Sequence, residues 1–186
     1  MSDPQFQHPH LQQPFLETAD VLYQSAERLS LHLYYAAQAI THALTAGGKV
    51  LCAGQAEAQW LARQSANLLV NGLARERPPL AALALSEEGL VAQVRALGNP
   101  GDIWLAFSLE RDEPTLVAAT EAARELDLTL VVFTGEGASV LGPLLRDTDV
   151  WVPLPGAQPA RLCAVGWLAV QALCETVDTL LLGDVA

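Results

Sequence analysis

Ala46-Gly47-Gly48-Lys49-Val50-Leu51-Cys52-Ala53-Gly54 reads as a helix stop, a buried strand and the start of a loop. Upstream, apolar residues recur at spacings of three and four: Val21, Leu22, Leu29, Leu33, Ala36, Ala37, Ile40 and Leu44. That period is helical and predicts a helix over Phe15 to Ala46. Gly47-Gly48 ends it, because glycine enters the left-handed conformation that closes helices. Val50 to Ala53 is apolar without alternation, which marks a strand covered on both faces, as in parallel sheets.

The same alternation continues downstream. Trp60 to Leu73 is expected to be helical, Arg75 to Pro79 a charged turn, and Leu80 to Leu85 a second strand. Glu87 to Leu97 predicts a short helix, Gly98-Asn99-Pro100-Gly101 a sharp turn, and Ile103 to Ser108 a third strand. Thr115 to Leu126 predicts a helix starting at or near Pro114, followed by a strand over Leu128 to Phe133. Val140 to Leu145 reads as a short helix, Val150 to Val152 as a brief strand closed by Pro153, and Pro159 to Leu182 as a long apolar helix. Strands alternating with helices indicate parallel βαβ units. The expected fold is a three-layer α/β (αβα) domain with a five-stranded, parallel, flavodoxin-like sheet and long N- and C-terminal helices. Residues 1–14 read as a flexible lead-in and residues 15–186 as a single domain.

Composition narrows the function. Apolar residues make up 51% of the chain and charged residues only 17%, so part of the apolar surface is expected to be covered by other copies. A net charge of −11 repels phosphate backbones and argues against direct nucleic-acid binding. Cys52, Cys163 and Cys174 sit in apolar runs and read as core residues, not as a disulfide framework or zinc site. The first ten residues carry no apolar signal segment, and charges or glycines interrupt every apolar run. A cytoplasmic protein with no membrane span is expected.

Several motifs, in order, resemble one family. Ala46 to Gly54, Glu76-Arg77-Pro78, Gln93 to Asp102 followed by Ile103 to Ser108, Ala118 to Leu126, Val131 to Gly135 and Ala160-Arg161-Leu162 are similar to the SIS (sugar isomerase) domain family of the phosphoheptose isomerase type. The segment from Gln93 to Ser108 resembles its DnaA initiator-associating branch most. The resemblance spans roughly Phe15 to Leu182. It implies a sugar-phosphate pocket at the ends of the first and third strands.

The departures from that family bear on function. Its loop after the first strand reads Gly-Asn-Gly-Gly-Ser; here Gly54 is followed by Gln55-Ala56-Glu57-Ala58. Its loop after the third strand reads Ser-Thr-Ser-Gly-Asn-Ser, whose hydroxyls and amides cradle phosphate at a helix N-terminus. Here it reads Ser108-Leu109-Glu110-Arg111-Asp112-Glu113, with one hydroxyl and three carboxylates. An aldose–ketose isomerase needs a base for a carbon-bound proton and an acid for the oxygens. The resemblance places the family's proton-transfer positions on Gln64, Asn67 and Gly166, none of which titrates near pH 7. Only Ser86 to Leu97 spans the gap where relatives carry a longer active-site loop.

Other constellations have simpler readings. Gly47, Gly48 and Gly54 match neither a Rossmann nor a Walker spacing. Glu110, Asp112 and Glu113 read as a solvated acidic loop sooner than a cation site, with Arg111 among them. His8 and His10 lack companion ligands, and His32 and His42 do not share a helical turn, so no metal site is expected. Trp60, Trp104, Trp151 and Trp167 share no spacing and read as core or interface residues. Leu180-Leu181-Leu182 is either a packed helix end or an apolar partner surface. The expected function is a non-catalytic scaffold without cofactors. It would assemble as a dimer or tetramer and bind a protein, for which the resemblance suggests the DnaA replication initiator. The alternative is a phosphosugar-binding or isomerase-like protein with an atypical site.

Overall fold

The computed structural model describes residues 9–73, 75–109, 113–137, 139–156 and 158–183. Five parallel strands form one sheet in the order β2-β1-β3-β4-β5. They are β1 (Val50–Gly54), β2 (Ala82–Ala84), β3 (Ile103–Ser108), β4 (Thr129–Gly135) and β5 (Val150–Leu154). The helices are α1 (Pro9–Thr45), α2 (Ala58–Asn71), α3 (Leu90–Leu97), α4 (Pro114–Glu125) and α5 (Pro159–Leu182). This is the doubly wound order expected from the alternating pattern.

Side chains alternate across each strand and so fill two cores. Val50, Cys52, Ile103, Leu105, Phe107, Val131 and Phe133 face α1, α2 and α5. Leu51, Ala53, Trp104, Ala106, Leu130 and Val132 face α3 and α4. Burial on both faces is why these strands are apolar throughout. Trp104 keeps its indole satisfied in the second core by donating from Nε1 to Thr120 Oγ1 at 3.0 Å.

α1 starts at Pro9, earlier than the expected Phe15, so residues 9–14 belong to the helix. Residues 1–8, including His8, lie outside the described residues. Pro14 sits inside the helix, and Thr18 Oγ1 donates to the Pro14 carbonyl at 2.7 Å. At 1.5 Å per residue, α1 is about 55 Å long. Leu29, Leu33, Ala36, Ala37, Ile40 and Ala43 bury one stripe of it. It ends in a Schellman motif: Gly48 N–H donates to Ala43 O at 2.8 Å, Gly47 N–H donates to Leu44 O at 3.1 Å, and Gly47 holds φ +87°.

Three local expectations change. The segment before β5 forms only a 3-10 turn, Gly142–Leu144, because Gly142 and Pro143 are poor helix formers. Pro153 lies within β5 and does not close it; an edge strand tolerates a proline whose missing N–H faces outward. Arg161–Leu182 within α5 is long and apolar enough to cross a membrane by length and composition, contrary to the reading that every apolar run is too short. Leu162, Val165, Val170, Leu173, Cys174 and Val177 nevertheless bury this helix in the first core.

Two ion pairs pin the ends of the layers. Asp102, almost fully buried, accepts from Lys49 Nζ at 2.5 Å and from the backbone N–H groups of Lys49 and Asn99 at 2.9 Å. The Arg77 and Asp178 side chains are each 2% exposed and meet at 2.5 Å. Arg77 also donates to Leu69 O at 2.8 Å and Leu68 O at 3.1 Å, covering carbonyls at the C-terminus of α2.

Candidate functional site

In a doubly wound sheet the ligand crevice lies beyond the carboxyl ends of the strands, where the connections depart to opposite faces. Here that point lies between β1 and β3, which are adjacent and lead into α2 on one face and α4 on the other. A cavity of about 50 Å³ occupies it. Gln55, Ala56, Glu57 and Ala58 line it from the turn after β1. Phe107, Ser108 and Leu109 line it from the end of β3, with Glu113 just before α4, Leu116 from α4 and Cys163 from α5.

The turn after β1 is tight. Ala58, Gln59 and Trp60 donate their N–H groups to the carbonyls of Gln55, Ala56 and Glu57 at 3.0, 3.3 and 3.4 Å. The first N–H groups of α2, which could otherwise hold an anion, are therefore used within the turn. Gly54 must be glycine, since a Cβ there would lie 2.5 Å from Ala58 O. Ala56 keeps φ +51°, a left-handed conformation that disfavours side chains.

The charged lining is acidic. Gln55 Oε1 is buried and has no hydrogen-bond partner among the described residues. Glu57 and Glu113 are exposed carboxylates at the rim. No arginine, lysine or histidine of the described residues lines the cavity. Behind the turn, Gln59 donates to Leu85 O at 2.8 Å, while its Oε1 is also buried without a partner among the described residues.

Gln55, Glu57, Ala58, Ser108 and Glu113 all line this cavity. Glu110 and Asp112 lie outside the described residues. Gln64, Asn67 and Gly166 do not line the cavity. Asn67 is exposed on α2 and accepts from Asn71 Nδ2 at 2.6 Å. Gly166 is buried, and a Cβ there would lie 2.8 Å from Leu61 Cδ1, so the core already fills the space a larger residue would need. Cys163 is the α5 residue that does reach the cavity, and the sequence reading assigned it to the core. The signal was available: buried Leu162 and Val165 set the inward stripe of α5, and Cys163 falls beside it.

The other two cysteines are core residues. Burial pushes the Cys52 thiol well up, and Cys174 nearby adds to the effect. Burial, aided by Asp178, pushes Cys174 up to about 12. Neither is a nucleophile near neutral pH. Trp60 and Trp167 pack with ring centroids 5.1 Å apart and planes tilted by 55°, joining α2 to α5 and leaving Trp60 half exposed.

Comparison with known proteins agrees with this architecture. The SIS domain model matches residues 15–135. Phosphoheptose isomerase of Methylibium petroleiphilum is 38% identical over 189 residues, covering 94% of each chain. DnaA initiator-associating protein DiaA of Citrobacter koseri is 33% identical over 182 residues, covering 90% of this chain and 93% of that one. The structure of a phosphoheptose isomerase from Francisella tularensis superposes with a TM-score of 0.86 at 26% identity, over 92% of this chain and 97% of that one. With its crevice at the strand switch point and its relatives matched along nearly their whole length, the chain belongs to the SIS domain family.

Proposed function

We propose that this protein is a non-catalytic SIS-domain scaffold that self-associates and binds a protein partner in the cytoplasm. The observation that carries this reading is the cavity at the ends of β1 and β3. The cavity encloses about 50 Å³ between the turn after β1 and the end of β3. Its described charged lining is acidic, Glu57 and Glu113, without a cation, which disfavours a phosphate dianion. The positions that the resemblance assigns to proton transfer hold Gln64, Asn67 and Gly166.

Self-association is supported by the helices. Phe15, Leu16, Tyr23 and Leu31 of α1 are each more than half exposed. A groove of about 480 Å³ runs between α1 and α5, lined chiefly by Leu22, Leu29, Leu33, Val165, Leu168 and Ala169. Helices that expose such stripes pair into bundles between copies, giving a dimer or a tetramer. The similarity to a DnaA initiator-associating protein makes the DnaA replication initiator the first partner to test. Leu180 and Leu182, exposed at the end of α5, are the candidate contact. The second reading, an isomerase with an atypical site, is favoured by the 38% identity to a phosphoheptose isomerase.

One paired experiment separates the two. The purified protein is assayed with sedoheptulose 7-phosphate and, in parallel, used to capture DnaA from the same organism. Capture without turnover is the expected result. Turnover that Glu113→Gln abolishes would establish the isomerase reading instead.

A further inference from the structure

We propose that the groove between α1 and the entry to β5 is the docking site for an arginine-bearing segment of a protein partner. This rests on the scaffold reading and adds where a partner binds and by what chemistry. The groove encloses about 460 Å³ and lies along the outer edge of the sheet, where β5 is the last strand. His32, Tyr35 and Ala39 form one wall, three and four residues apart on α1. Asp147, Thr148 and Trp151 form the other.

Both rings of the groove are open, Tyr35 being 51% and Trp151 41% exposed. Trp151 is also held in place, because its Nε1 donates to Thr134 Oγ1 at 2.8 Å. A fixed, half-open indole beside a tyrosine offers negative π faces to a cation. Arginine stacks on such faces better than lysine, because its guanidinium is planar and weakly hydrated.

Charge fixes the sign of the ligand. Asp149 is fully buried at its side chain and accepts from the N–H groups of Leu130 and Arg146 and from the Arg146 guanidinium. Arg146 in turn is held by Asp149, Asp127 and the Leu128 carbonyl, so its charge is neutralised locally. Asp147 is exposed, and no hydrogen bond or ion pair within the described residues engages it. The chain's net charge of −11 draws in a basic partner by the same sign.

The test uses protein labelled with 5-fluorotryptophan, which gives one fluorine signal per indole; Trp151→Phe assigns that of Trp151. The probe is acetyl-Ser-Arg-Ser-Arg-Ser-amide. It should shift the Trp151 signal and leave buried Trp104 unmoved, while the citrulline analogue, equal in shape but uncharged, should shift neither. Asp147→Asn should weaken binding of the arginine peptide about tenfold. Equal shifts by the citrulline peptide, no shift at millimolar arginine peptide, or unchanged affinity in Asp147→Asn would overturn the proposal. So would a lower oligomer mass for Tyr35→Ala in light scattering, which would make the groove an interface between copies. Failure of the scaffold reading is a separate result: turnover of sedoheptulose 7-phosphate would remove that reading and leave the peptide titration as measured. DnaA capture without any peptide effect would remove the groove alone.

Discussion

Ala56 holds a left-handed backbone conformation where the resembled family carries glycine. Relief of the Cβ strain in Ala56→Gly outweighs the added freedom of the unfolded chain, for a net gain of roughly 0.5 kcal/mol. The urea midpoint should rise accordingly. Arg77 presents the opposite case. In the sequence it is one letter of a charged turn; in the structure it is a buried cation bonded to α2 and α5. Asp178→Ala leaves that charge without its partner and should cost about 3–5 kcal/mol. Arg77→Met combined with Asp178→Leu should recover most of the loss, as calorimetric melting would read. The site was legible to a similar degree. Gln55 follows the end of β1 and Ser108 closes β3, so both could be placed from the pattern. Gln64, Asn67 and Gly166 came from resemblance alone, and spacing does not say which helical face meets a cavity until the neighbouring helices are placed.

Among the elements, the long strand and helix signals were read to within a few residues because they combine period, length and punctuation. The apolar run Leu80 to Leu85 predicts a six-residue strand, whereas β2 is three residues long, with Leu85 N–H still donating to Cys52 O of β1 at 2.9 Å. The outward stripe of α1 and the exposed face of α5 were legible as apolar residues, but not as one groove, because their adjacency is tertiary. Leu168 is 49% exposed on that groove, so a charge there does not disturb the monomer core. Leu168→Glu should yield a folded protein of lower mass by light scattering, with its circular dichroism retained. A charge placed on a buried apolar interface opposes association by several kcal/mol.

At the scale of the whole molecule, the alternating elements point to a doubly wound, flavodoxin-like sheet, and the order β2-β1-β3-β4-β5 is that pattern. Stability should also depend on alkali through the core. The Cys52 and Cys174 thiols are raised from an ordinary value of 9.0 in the folded protein. Above about pH 9 the unfolded chain therefore loses thiol protons that the folded chain keeps, and stability falls as pH rises through the folded values. Each thiol contributes a slope of up to about 1.4 kcal/mol per pH unit. The urea midpoint should drop between roughly pH 9 and 11. The drop should be shallower in a Cys52→Val, Cys174→Ala protein, provided that protein remains folded at neutral pH.

The pairing of Arg77 with Asp178 joins residues 101 positions apart in the chain. During synthesis Arg77 leaves the ribosome long before Asp178 is made, so the first four strands can emerge without the carboxylate that Arg77 needs. Until then the emerging chain carries a cation that cannot be buried at low cost, and the α2 side of the sheet stays open. Completion of the domain is thereby timed to the release of α5. A chain that terminates early is marked for chaperones and proteases by an exposed sheet face, not only by its missing helix.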